Sequence, residues 1–275
     1  YSLGSCYIRN VRSDGYKSAV AFREFPRADG NRAIEFSNED TYTLFDENAQ
    51  TLNLTAEDIP DIPWNNDETE WAFSDEYGAI GNGMHDDTVA VQKLMNSGKK
   101  YIFFQPGEYL LNGTINIPPS VERVNFMYCS LAAGEKLRSE LKSAFRVVGE
   151  SDVPLIVEDV FAWERFYGHF RFIEHASKRT LILSDLHIQT AALYFNSEQG
   201  GKVFIENCAC TVGGDLYRAV CPFEFVGQTV YARNMNPERA DCEIINDHGT
   251  LWLMGFKAEG YGTTVKTVNG GITEI

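Results

Sequence analysis

One short pattern recurs along this chain and restricts its folds more than any other feature. It reads apolar, any, apolar, any, Asn/Asp/Gly, apolar. Copies are Leu155-Ile156-Val157-Glu158-Asp159-Val160, Leu181-Ile182-Leu183-Ser184-Asp185-Leu186 and Val203-Phe204-Ile205-Glu206-Asn207-Cys208. Val230-Tyr231-Ala232-Arg233-Asn234-Met235 and Leu251-Trp252-Leu253-Met254-Gly255-Phe256 continue the series, and Val124-Asn125-Phe126-Met127-Tyr128-Cys129 is a weaker copy. Their starts lie 31, 26, 22, 27 and 21 residues apart. Near-regular spacing with variable remainders is what stacked structural repeats with loop insertions give. Alternation with period 2 is strand geometry, so Leu155, Leu181, Val203, Val230 and Leu251 form one inward column. Val157, Leu183, Ile205, Ala232 and Leu253 form a second. The fifth position turns the chain, because Asn, Asp and Gly tolerate left-handed backbone. Stacked Asn side chains there can bond to one another.

A second strand lies between successive copies. Its triplets are Phe145-Arg146-Val147, Phe170-Arg171-Phe172, Leu193-Tyr194-Phe195, Phe223-Glu224-Phe225, Cys242-Glu243-Ile244 and Val265-Lys266-Thr267. Two strands and a turn per repeat build an all-β parallel β-helix. A hairpin sandwich does not account for the same columns recurring in the same order. Residues 5–11 repeat the pattern in brief, with Cys6, Ile8, Asn10 and Val11. The expected organisation is therefore the end of a preceding β-helix over 1–23, a linker or wrapping arm over 24–76, and a β-helix domain over 77–275. Both ends read as cut from a longer precursor.

Ahead of the main repeats stands Tyr77-Gly78-Ala79-Ile80-Gly81-Asn82-Gly83-Met84-His85-Asp86-Asp87-Thr88-Val89-Ala90-Val91-Gln92, then Pro106-Gly107 and Tyr109. Asp86 or Asp87 suits a helix N-cap, and Ala90, Val91, Leu94 and Met95 make one apolar face. A short capping α-helix results, placed to shield the first strands from edge pairing. This segment resembles the opening of right-handed, single-stranded parallel β-helices of the pectate-lyase superfold, in particular proteins related to glycoside hydrolase families 28 and 55. Asn82 stands where those families usually carry Asp. The resemblance implies a secreted or cell-surface protein, periplasmic included, acting on polysaccharide. Its tandem layout implies a second β-helix domain or chain as partner, and family 55 implies inverting hydrolysis of a neutral β-glucan.

Charge bears on the partner. With 24 Lys and Arg against 39 Asp and Glu the formal net charge is −15, which repels nucleic acid and anionic lipid. No apolar run reaches membrane-spanning length. The six cysteines lack zinc spacing and read as small buried hydrophobes, and the five histidines show no ligand spacing, so neither a metal nor a cofactor is expected.

Catalytic candidates come from two sets of carboxylates. On the outward side of the second strand, Arg146, Arg171, Tyr194, Glu224, Glu243 and Lys266 would align, making Glu224 and Glu243 neighbours flanked by Tyr194 and Lys266. Eight residues after the start of a repeat fall Glu238 and Glu259, with Trp163, Gln189 and Thr211 at the same offset. Two close carboxylates drive their pKa values apart and so suit an acid and a base; a surface charge ladder is the plainer reading. Trp163, Gln189, Tyr194 and Lys266 are the expected substrate contacts. Three activities remain open: a glycoside hydrolase, a lyase on uronate polymers, and a non-catalytic glycan-binding or structural β-helix such as a tailspike. A last outward column, Ile156, Ile182, Phe204, Tyr231 and Trp252, with Tyr7 at the equivalent place, is expected to be covered by residues 24–76 or by another domain.

Overall fold

A computed structural model of the chain describes residues 6–22, 25–26, 28, 30–39, 52–162, 170–214 and 217–275. Two compact units emerge, Tyr1–Asn53 and Leu54–Ile275. In the first, strands β1 (Tyr7–Arg12), β2 (Ala21–Phe22), β3 (Phe25–Pro26) and β4 (Arg32–Ser37) pair only antiparallel, β1 with β4 and β2 with β3. The stretch Tyr7–Val11, expected as part of a preceding β-helix, pairs antiparallel with β4. Period-2 alternation serves either strand direction and does not choose between them. Left-handed turns stand at Gly15 and Gly30 between β1 and β4.

The second unit begins earlier than residue 77. Its strands are β5 (Trp71–Phe73), β6 (Asn82–Asp86), β7 (Tyr101–Phe103), β8 (Glu108–Leu111), β9 (Ile115–Ile117), β10 (Arg123–Asn125), β11 (Ser130–Ala133) and β12 (Ser143–Val148). There follow β13 (Leu155–Ala162), β14 (Arg171–Ala176), β15 (Leu181–Gln189), β16 (Ala192–Asn196), β17 (Lys202–Thr211) and β18 (Phe223–Val226). The last are β19 (Thr229–Glu238), β20 (Cys242–Asp247), β21 (Thr250–Phe256), β22 (Thr263–Val268) and β23 (Ile272–Glu274). They form long parallel sheets: nine strands in the order β5-β7-β10-β13-β15-β17-β19-β21-β23, seven in the order β9-β12-β14-β16-β18-β20-β22, and three, β6-β8-β11. From β12 onward the chain visits the large sheets alternately.

The two inward columns of the nine-stranded sheet hold their expected register, and every member is buried. Left-handed backbone occurs at Asp159, Asp185, Asn207, Asn234 and Gly255, with φ between 52° and 67°. The side chains at these bends bond along the stack. Asn234 Nδ2 donates to Asn207 Oδ1 at 3.0 Å, and Asn207 Nδ2 to Asp185 Oδ1 at 2.6 Å.

At the start of the unit, α1 (Thr88–Met95) buries Val91, Leu94 and Met95. Neither aspartate of the motif faces outward chemistry. Asp87 is fully buried and accepts the Ile80 and Gly81 N–H groups, at 2.8 and 3.1 Å, which holds the glycine loop closed. Asp86 accepts the Thr88 N–H at 3.0 Å, at the start of α1.

The outward column Ile156, Ile182, Phe204, Tyr231 and Trp252 is covered. Leu54, Ala56, Ile59 and Ile62 pack on it. Leu54 N–H donates to Glu274 Oε2 at 2.7 Å beside β23, while Trp64 stacks on Phe103 of β7 with ring centroids 6.0 Å apart. Ten residue steps at about 3.3 Å span roughly 33 Å. Seven interstrand steps at about 4.8 Å span roughly 34 Å. The arm is thus nearly fully extended along the stacking direction. Polar clasps hold it: Glu57 with Lys202 and Tyr231, and the Arg123 guanidinium 4.0 Å from the centre of the Trp64 ring.

One polar cluster is sealed inside the unit. His175 Nε2 donates to the Arg179 carbonyl at 2.9 Å and its Nδ1 accepts from Gln228 Nε2 at 3.2 Å; Tyr194 Oη donates to Gln228 Oε1 at 2.7 Å. Burial lowers the His175 pKa to about 4. The unfolded chain takes up this proton near pH 6.5, so stability falls as pH drops from 6.5 to about 4. We predict that His175→Gln abolishes a loss on the order of 3 kcal/mol across that window, checked by urea unfolding of both proteins at each pH. Equal pH slopes in the two would show that His175 does not carry the effect.

Candidate functional site

The end of β19 gathers the carboxylates. Gln189, Thr211 and Glu238 are register partners on successive strands, and Glu238 forms a parallel bridge to Glu259 beyond β21. This is the column that the constant offset predicts. Trp163, its expected first member, lies outside the described residues. The backbone continues the stack through Val212 N–H to the Glu238 carbonyl (3.0 Å) and Arg239 N–H to the Glu259 carbonyl (2.8 Å). Thr211 Oγ1 donates to Glu238 Oε2 at 3.1 Å, and Lys257 Nζ to Glu238 Oε1 at 2.9 Å. Lys257 also pairs with Glu259, so one ammonium serves both carboxylates.

The other expected pair is not formed. In the seven-stranded sheet the outward partners run Arg146, Glu174, Phe195, Glu224, Ile245, Lys266. Glu224 and Glu243 are therefore not neighbours, and Ile245 separates Glu224 from Lys266. Tyr194 points inward, pairing with Ile173 and Phe223 in a buried column, and contacts no solvent. It cannot touch a substrate at the surface. The cause is register: a slip of one residue exchanges the two faces of a strand. The triplets at Phe145, Phe223 and Val265 are aligned as expected, whereas those at Phe170, Leu193 and Cys242 are displaced by three, one and two residues.

That displacement moves Glu243 into the other carboxylate group. Only four residues lie between Glu238 and Glu243, and the turn they form, with Arg239 at φ 71°, folds the strand ends together. Glu243 is 2% exposed; the Arg239 backbone N–H beside it lowers its pKa somewhat, and its Oε2 has no hydrogen-bond partner. Gly260 passes beside it without a side chain: a Cβ there would stand 3.5 Å from Glu243 Oε1. Burial first, then the Glu238 charge, raise the Glu243 pKa to about 7. For Glu238, burial alone would raise the pKa, but hydrogen bonds from Lys257, Asn236 and Thr211 outweigh it and hold it below the ordinary value. Near neutral pH the two carboxyls thus differ in protonation. A cleft of about 210 Å³ adjoins them, lined by Val212, Gly214, Arg218, Arg239, Gly260 and Tyr261. Lys257 and Arg239 had no signal in the repeat; the Glu-x4-Glu spacing across the turn is the one sequence sign of the Glu238–Glu243 proximity.

A larger cleft of about 510 Å³ lies on the seven-stranded sheet, among Asn116, Arg146, Glu174 and Phe195, away from these carboxylates. Among the described residues no three His, Cys, Asp or Glu side chains are grouped to hold a metal, and no helix is long and apolar enough to cross a membrane.

No protein-family model matches the chain, and no curated protein matches it. Among solved structures, ORF18 of Geobacillus virus E2 is similar with 13% identity and a TM-score of 0.41, over 69% of this chain and 50% of that one. The chain thus spans about half of that protein's length.

We predict that the Glu243 pKa, followed by carboxyl ¹³C NMR, lies near 7 and falls in Glu238→Gln while staying above the usual glutamate value, because burial is the larger cause. The folded chain retains a proton that the unfolded chain releases, so this group's contribution to stability declines from about pH 4.5 to 7. An ordinary Glu243 titration in the wild type would refute the assignment.

Proposed function

We propose that residues 54–275 form a right-handed parallel β-helix of the pectate-lyase type that acts on polysaccharide outside the cell or at its surface, as a glycoside hydrolase. The observation that carries this reading is two carboxyls at one turn in unlike surroundings, Glu243 buried and Glu238 held by Lys257 and Thr211, which drives the pKa of the first up and of the second down. Hydrolysis of a glycosidic bond needs that combination. In this scheme Glu243 is the general acid that protonates the leaving oxygen. Glu238 removes a proton from the attacking water, and Lys257 and Thr211 hold it in place. Glu259 keeps Lys257 in position from the neighbouring strand. Gln189 extends the column along which a sugar chain would lie. The net charge of −15 favours a neutral glucan over a uronate polymer, the substrate of the lyase alternative.

A second reading has its own support. Lys257 lies between Glu238 and Glu259 and pairs with both, the alternation of sign expected of an ordinary surface charge ladder. That favours a glycan-binding or structural β-helix without catalysis.

Reducing-sugar release from a panel including laminarin and polygalacturonate separates the two. We predict that Glu243→Gln and Glu238→Gln each lower kcat about 100-fold or more, the scale of general acid–base catalysis, while Glu224→Gln stays within about twofold. If no substrate is cleaved and a glycan still binds by calorimetry, the non-catalytic reading stands instead.

A further inference from the structure

Cys221, just ahead of β18, and Cys242, the first residue of β20, occupy equivalent places beside the seven-stranded sheet. Phe223 and Ile244 are register partners, and each cysteine lies two residues ahead of its member of that pair. Each thiol also points to the carbonyl two residues on, Cys221 Sγ to Phe223 O at 3.1 Å and Cys242 Sγ to Ile244 O at 3.7 Å. The matching conformations make the two thiols near neighbours, each among the groups that shift the other's pKa. Neighbouring strands stand about 4.8 Å apart, within the Cα separation of roughly 4.4–6.8 Å that a disulfide spans. Both cysteines are free; Cys221 is buried, whereas Cys242 is only half-buried.

We propose that Cys221 and Cys242 are a reactive thiol pair that small disulfides, oxidised glutathione among them, convert to an intrachain disulfide beside Glu243. The Cys242 thiolate attacks one glutathione sulfur. An S–S bond forms to Cys242, and the first glutathione leaves as a thiolate that takes up a proton. Cys221 then gives up its proton, attacks the Cys242 sulfur and expels the second glutathione. Two thiols of the chain are oxidised and one glutathione disulfide is reduced to two thiols.

The surroundings assign these roles. The neighbouring Cys221 thiol foremost, and the Lys266 ammonium, against burial and the Glu243 charge, lower the Cys242 pKa to about 7. Burial, with Cys242 and Glu224 nearby, raises that of Cys221. The accessible, acidic thiol is thus the attacking one and the buried thiol resolves the mixed disulfide, as thiolate control of reactivity requires. Cys208 is unsuited to the first step, since burial raises its pKa to about 12, and burial raises Cys129 and Cys210 likewise.

The full chain is incubated with oxidised glutathione at pH 7, quenched with iodoacetamide, unfolded, alkylated again and digested with trypsin, which places Cys221 and Cys242 in different peptides. Mass spectrometry is expected to find those peptides joined, with Cys129, Cys208 and Cys210 still alkylated. Without glutathione, Cys242 of the native chain should react with iodoacetamide about threefold faster at pH 7 than a free cysteine peptide, its larger thiolate fraction being partly offset by the lower nucleophilicity of a more acidic thiol. Cys221→Ser, checked for native circular dichroism, should stop at glutathione attached to Cys242. Failure of the two peptides to join, or a Cys242 rate no faster than the peptide's, would overturn the proposal; the wild-type measurements decide it even if the variant does not fold.

Discussion

The left-handed bend at the fifth position of each repeat is the constraint on which the second unit depends. A strand that ran straight on would leave its apolar ends exposed. The bend at Asp159, Asp185, Asn207, Asn234 or Gly255 turns Val160, Leu186, Cys208 and Met235 back toward the core. Such backbone costs an ordinary residue on the order of 1 kcal/mol or more, and Asn, Asp and Gly much less. The side-chain bonds from Asn234 to Asn207 and on to Asp185 recover part of that cost. Because every bend stands at the same rung height, the parallel register of the nine-stranded sheet follows from it.

This also separates what the sequence discloses from what it conceals. The nine-stranded sheet carries two coincident signals, alternation and a turn residue at fixed phase. Its columns can therefore be read correctly down to single residues, and so can the Gln189–Thr211–Glu238 column, which is counted from the same start. The seven-stranded sheet lacks the punctuation. Its strands are apolar on both sides of many positions, as at Leu193-Tyr194-Phe195, where the two residues most alike in character, Tyr194 and Phe195, face opposite ways. Nothing local distinguishes them. Inside, the Tyr194 hydroxyl is held by Gln228, in the turn between β18 and β19, and no periodicity contains that contact. The antiparallel pairing of Tyr7–Arg12 escaped for a related reason: the hexapeptide specifies a strand and a bend, but not the direction of the neighbour.

The covering arm shows how a segment without a repeat is still dictated by one. Five strands present an outward apolar side chain in register, and that stripe cannot be left to water. Leu54, Ala56, Ile59 and Ile62 cover it, while Glu57 reaches the flanking Lys202. The near equality of arm length and stack height leaves the arm no slack. Buried Arg123, between Trp64, Glu158 and the Ile62 carbonyl, fixes one end.

Glu243 stands apart from this economy. Uncharged Pro222 and Thr264 stand beside it in register, and an apolar residue at 243 would remove a desolvated carboxyl whose Oε2 has no partner. An unsatisfied buried polar group costs roughly 1–3 kcal/mol, and the Glu238 charge adds to the penalty for ionising it. The fold gains nothing from that arrangement: Val212, Arg239 and Gly260 would close the turn equally well around a smaller side chain. Groups that burden stability without serving packing concentrate where chemistry is done. Asp87, also buried and acidic, is the contrast within the same chain. Its two oxygens are satisfied by the Ile80 and Gly81 N–H groups, and it is explained by the loop it closes. The difference between those two carboxyls, one satisfied and one not, is the physical ground for placing the chemistry at Glu243 rather than in the acidic motif that opens the unit.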